Sequence, residues 1–62
     1  MSDYKIDSFV RIGDEGQDIY VAQIKVRTFL LWHFVTEVSD EDPDYVMNRA
    51  DEIISILENP NT

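Results

Sequence analysis

Cysteine is absent from the chain, so it can form neither a disulfide framework nor a thiolate metal site. Histidine occurs once, as His33, which excludes a metal triad built on imidazoles. Glycine and proline occur only twice each, and no repeat, low-complexity tract or internal linker is visible. No run approaches the roughly 18 apolar residues of a membrane-spanning helix. Met1-Ser2-Asp3 opens no basic segment leading into an apolar one, so no signal peptide is expected and the expected location is the cytoplasm. Basic residues are also scarce: five Lys and Arg stand against 13 Asp and Glu, a net charge of −8. So acidic a chain is repelled by nucleic acid and anionic lipid, whose binding depends on neutralising phosphates with cations. The charge serves solubility, and it also offers an acidic surface to a basic partner.

Catalytic constellations are missing too. Ser8, Ser39 and Ser55 lack the strand-to-helix elbow of a nucleophile, and His33 sits in an apolar run that suits a half-buried or interface side chain. Asp40-Glu41-Asp42 reads as a solvated loop and helix cap rather than a protected acid–base pair. The acidic segment Asp14 to Asp18 is too short for the twelve-residue calcium loop. Gly13 and Gly16 are followed by neither the helix nor the lysine of a phosphate loop. No enzymatic activity, metal or cofactor is expected.

What the chain does have is patterned apolar sequence. Its 62 residues make one domain, 1–62, and a chain of this length buries only about 60% of the surface it exposes when unfolded. With no disulfide or metal available, association with another chain is the readiest source of added stability. The run Phe29-Leu30-Leu31-Trp32-His33-Phe34-Val35 does not alternate as a half-buried strand does, which implies cover on both of its faces. Strands are expected at about 4–12, 19–27 and 31–38. The first two are separated by the glycine-containing turn 13–18, the last two by a turn near 28–30. A helix is expected at about 43–58, capped by Asp42 with Pro43 in its first turn, with Ser39 and Asp42 as a competing capping box one turn earlier. Its apolar stripe is Val46, Ala50, Ile53 and Leu57, widened by Met47 and Ile54. Asn59-Pro60 ends it, leaving 59–62 as a short tail. The fold class is therefore α+β: a three-stranded antiparallel meander with one C-terminal helix packed on one sheet face.

This order sorts the charges. Trp32, Phe34 and Val38 are assigned to the helix-covered core. The opposite, open face collects Phe9, Arg11, Val21, Lys25, Arg27, Leu31, His33 and Val35, a mixed cationic and apolar surface that suits an interface. Glu37, Asp40, Glu41, Asp42 and Asp44 form a candidate acidic contact surface for a partner with a basic face. A homodimer stacked through the open faces would cover each copy's second side. Single-stranded nucleic acid, stacked on Phe9 and His33 beside Lys25 and Arg27, is the alternative, as is a purely structural dimer.

The segment Ile19-Tyr20-Val21-Ala22-Gln23-Ile24-Lys25-Val26, followed by Leu31-Trp32-His33-Phe34-Val35 and an Asp-rich turn into a helix, resembles small accessory proteins of tailed phages and prophages over about residues 19–57. The resemblance implies a non-enzymatic protein-binding module that modulates or inhibits a host protein in the host cytoplasm. It transfers no residue roles.

Overall fold

The computed structural model describes residues 3–59, so residues 60–62 of the expected tail lie outside the described part. Three antiparallel strands, β1 (Tyr4–Ile12), β2 (Asp18–Thr28) and β3 (Leu31–Asp40), form one sheet in the order β1-β2-β3. The single helix α1 (Pro43–Glu58) follows and packs on one face of that sheet. This is the α+β meander-plus-helix architecture expected from the pattern.

Local chemistry sets each junction. Between β1 and β2, Gly13 and Gln17 close the ladder through a 2.8 Å main-chain hydrogen bond, and the Gly16 N–H donates to the Gly13 carbonyl. Gly16 holds φ +83°, the left-handed geometry that ends a three-residue hairpin loop and that glycine adopts without steric cost. At the helix start the Asp42 side chain accepts from the N–H groups of Asp44 and Tyr45, with Pro43 in the first turn. Ser39 takes no part in this cap; it lies in β3 opposite Val21. Asn59 closes the other end, its N–H reaching the carbonyls of Ser55 and Ile56.

The core lies between the centre of β2 and α1. Ala22, Ile24, Val46 and Ala50 are buried there, with Tyr4, Ile6, Tyr20, Val38, Ile53, Ile54 and Leu57 packed around them. The helix lies over β2 and β3 and barely meets β1. Val10 and Ile12 therefore share the helix side of the sheet yet stay 51% and 69% exposed. Met47, expected in the core stripe, is exposed as well, and with Ser8, Val10, Tyr20 and Val46 it lines a groove of about 300 Å3 between β1 and the start of α1.

One irregularity decides the faces of β3. Ile24 pairs with Thr36 but Lys25 pairs with Phe34, so Val35 is the extra residue of a β-bulge. Thr36 and Val38 lie on the helix side, across from Ile24 and Ala22. On the far side of the bulge the alternation is offset by one residue, and an offset of one exchanges faces. Trp32 and Phe34 therefore stand on the open face with Arg27 and Lys25, whereas Leu31 and His33 pair with Thr28 and Val26 on the helix side. This corrects the assignment of Trp32 and Phe34 to the core and of Leu31 and His33 to the open face. Val35 belongs to neither ladder row. The apolar run is not covered on both faces either; the strand that is covered so is β2, which buries Val21 on one side and Ala22 and Ile24 on the other.

Candidate functional site

The open sheet face is a layer of paired charge over a small apolar floor. On β1 and β2, the Lys25 ammonium donates to Asp7 Oδ2 at 2.7 Å, and the Lys5 ammonium lies 3.9 Å from the same oxygen. That hydrogen bond from Lys25, with the added attraction of both lysines, holds the Asp7 carboxyl below its ordinary 3.8 despite an opposing desolvation. Arg11 stands opposite Ile19 and Glu37 opposite Gln23, so the 3.8 Å Arg11–Glu37 pair crosses β2 at the level of Val21. Phe9 and Ser39 flank Val21 from the neighbouring strands. Together these groups leave Val21 only 1% exposed with no second layer above it. The long stems of Arg and Glu give apolar cover while their heads remain wet.

Toward the other end of the face the cations turn to an aromatic ring. Lys5 Nζ sits 4.5 Å from the centroid of Trp32, and the Arg27 guanidinium carbon 5.9 Å from it. Both distances are within reach of a cation–π attraction. Phe34 lies beside them opposite Lys25 and is 58% exposed. The sheet face thus gathers Lys5, Arg11, Lys25 and Arg27, four of the chain's five basic residues.

Beyond Trp32 the β2–β3 hairpin ends in a two-residue turn, Phe29-Leu30. Phe29 is 99% exposed and Leu30 93%, with the neighbouring Leu31 exposed as well. Phe29 is also the one non-glycine residue with positive φ (55°) among the described residues. A tight hairpin with positive φ at its first central position ordinarily places glycine there, and a bulky aromatic in that geometry is an outlier that carries strain. Both apolar side chains of the turn are thus held in solvent, Phe29 on a backbone that disfavours it. Sequence reading missed this tip because it counted 28–30 only as a connection. The signal that could have found it is Phe-Leu at a turn with no Gly, Asn or Asp.

The remaining expected site residues are dispersed. Asp42 is consumed by the helix cap, and Asp40 accepts the Asp42 N–H at 3.0 Å. Glu37 belongs to the open face, where it pairs with Arg11 and accepts weakly from Gln23. Glu41 and Asp44 are exposed at the loop and the first helical turn. His33 is exposed on the helix side of the hairpin and is not next to Phe9, so the two cannot sandwich a base. Among the described residues no three His, Cys, Asp or Glu side chains converge on a position for a metal ion, and no helix is long and apolar enough to cross a membrane. What the geometry brings together is an aromatic and cationic patch (Lys5, Lys25, Arg27, Trp32, Phe34) continuous with an apolar hairpin tip (Phe29, Leu30). No family model matches the chain, and neither a curated protein nor a solved structure matches it significantly.

Proposed function

We propose that the chain is a non-enzymatic protein-binding module whose contact surface is the distal half of the β2–β3 hairpin. The observation that carries this reading is the tip itself: Phe29 and Leu30 almost fully in solvent, with Phe29 in left-handed geometry. A folding role would call for glycine at that position, so the side chain answers to something outside the monomer. Large aromatic and apolar anchors with Arg at their margin are what dominate protein interfaces energetically. The acidic loops and the outer side of α1 then act at long range, repelling nucleic acid and favouring approach to a partner with basic surface around an apolar pocket. Resemblance to phage accessory proteins extends the proposal to a modulator or inhibitor acting in a host cytoplasm.

The test uses a photoreactive residue at position 30 and, as control, at position 51 on the outer side of α1. The expected result is one protein cross-linked from position 30 and not from 51, with cross-linking competed away by the unlabelled chain but not by a Phe29→Ser, Leu30→Ser variant. Equal competition by that variant would refute the proposal.

A second reading has one observation in its favour. The bulge moves Trp32 and Phe34 onto the basic face, where they could stack single-stranded nucleic acid better than the expected Phe9 and His33. Against it, the Trp32 ring is already approached by Lys5 and Arg27, and Lys25 is paired with Asp7. Lys25→Glu with Arg27→Glu would abolish oligonucleotide binding under this reading; unchanged affinity would end it.

A further inference from the structure

The outer edge of β1 carries the charged side chains Lys5, Asp7 and Arg11 but no device that breaks its main-chain pairing. Its pairing with β2 runs unbroken from Tyr4 to Ile12, with no bulge and no proline, and among the described residues no further strand lies beyond it. The other edge, β3, is interrupted by the Val35 bulge, a device that makes an edge a poor template for pairing. Residues of β1 alternate between hydrogen bonding to β2 and facing away from it. The Arg27 N–H donates to the Asp3 carbonyl and the Gly13 N–H to the Gln17 carbonyl, which fixes the odd-numbered residues as those paired with β2. Ile6, Ser8, Val10 and Ile12 therefore direct their N–H and C=O groups outward, and Val10 and Ile12 also expose side chains that α1 fails to cover.

We infer that β1 pairs with β1 of a second copy, antiparallel and centred on Phe9, to make a six-stranded sheet with both helices on one side. The charges select this register. About Phe9, each Asp7 faces Arg11 of the second copy, Phe9 faces Phe9, and Ile6 faces Ile12. Centring on Ser8 would oppose Lys5 to Arg11, and centring on Asp7 would oppose two carboxylates. Like charges directly opposed destabilise a sheet, whereas opposite charges and aromatic pairs stabilise it. Both intramolecular contacts to Asp7 fall on Oδ2, leaving Oδ1 for the second copy's Arg11 guanidinium, which would turn to it from its 3.8 Å contact with Glu37. In this register Ile6, Ser8, Val10 and Ile12 of each strand supply about eight main-chain hydrogen bonds across the join, and Phe9 occupies a non-hydrogen-bonded position, where facing side chains are closest. The two hairpin tips point to opposite ends of this dimer, so the contact surface proposed above stays free and neither idea depends on the other.

Because the chain has no cysteine, single introduced thiols test the register. Across a non-hydrogen-bonded pair the Cα atoms stand about 4.5 Å apart, inside the range a disulfide spans. Phe9→Cys is expected to oxidise to a covalent dimer, whereas Asp7→Cys or Arg11→Cys alone forms no disulfide under the same treatment and the two mixed give the cross-linked pair. Sedimentation of the unmodified chain at high micromolar concentration is expected to give twice the chain mass. Ser8→Pro removes an outward N–H without touching the β1–β2 ladder, and Phe9→Lys sets two ammonium groups on the axis; each is expected to return the mass to that of one chain with an unchanged far-ultraviolet spectrum. A monomeric mass for the unmodified chain overturns the inference. So does preferential cross-linking through Phe34→Cys on the open face, which would mark stacked sheets instead.

Discussion

Replacing Phe29 with glycine should make this protein more stable while removing its most exposed aromatic ring. A non-glycine residue held in left-handed geometry costs about 1–2 kcal/mol. Glycine removes that cost but adds freedom to the unfolded chain, worth roughly 0.4–1 kcal/mol in the opposite sense. No burial is lost, because the side chain is 99% exposed. The net expectation is stabilisation of about 0.5–1 kcal/mol, which for a domain of this size raises the thermal midpoint by roughly 2–8 °C. Urea unfolding should show a higher midpoint at unchanged slope, since the surface exposed on unfolding hardly changes. Leu30→Gly is the control: Leu30 lacks positive φ, so glycine there relieves nothing and should lower the midpoint. A Phe29→Gly midpoint equal to or below that of the unmodified chain would refute the account of a strained tip.

Three further outcomes follow from the fold. Asp42→Ala should cost about 1 kcal/mol, or roughly 4–8 °C in thermal midpoint, while Asp42→Asn should be nearly silent because asparagine caps equally well; calorimetry on both decides it. Asp7 is lowered below 3.8 by Lys25, so its contribution to stability is complete above that value and is lost as pH falls through the lower folded-state midpoint. Lys25→Met should return the Asp7 midpoint toward 3.8 in a carboxyl NMR titration, and an unmoved midpoint would contradict the pairing. Lys5 side-chain protons should resonate upfield of their unfolded positions beneath the Trp32 ring, and Trp32→Leu should erase that shift; contacts from Trp32 to Val46 or Ala50 would return the indole to the core.

Element order and type were legible because each rests on local signals. Glycines mark the first turn, Asp42-Pro43 announces the helix, and Val46, Ala50, Ile53 and Leu57 repeat at helical spacing. The face carried by β3 was not legible. A bulge has no reliable composition of its own, and Val35 looks like any strand residue, yet this single extra position moved Trp32 and Phe34 to the open side and Leu31 and His33 off it. The open-face residues on the bulge-free strands, Phe9, Arg11, Val21, Lys25 and Arg27, kept the side that simple alternation assigns. Nor could pattern alone separate a strand buried on both faces from one that is apolar and exposed. The densest apolar run became a hairpin end in solvent, while β2, with Gln23, Lys25 and Arg27 in its sequence, became the doubly covered strand because paired charges screen Val21. How far α1 reaches across the sheet was likewise hidden, and that offset is what leaves Val10, Ile12 and Met47 uncovered.

The one-sided placement of the cations also makes the molecule an electric dipole. Four of five basic side chains share the sheet face with Asp7 and Glu37, and the other 11 acidic residues are spread over loops, strand ends and α1. At low ionic strength such a body feels a torque before it feels contact, and it turns its helix side toward positive surfaces. At 0.15 M salt the screening length falls to about 8 Å, and the alignment is confined to the last step of an encounter. Adsorbed on an anion-exchange matrix, the protein would lie helix side down, with Trp32 and Phe34 facing the mobile phase. Two copies joined edge to edge with both helices on one side would add their moments instead of cancelling them.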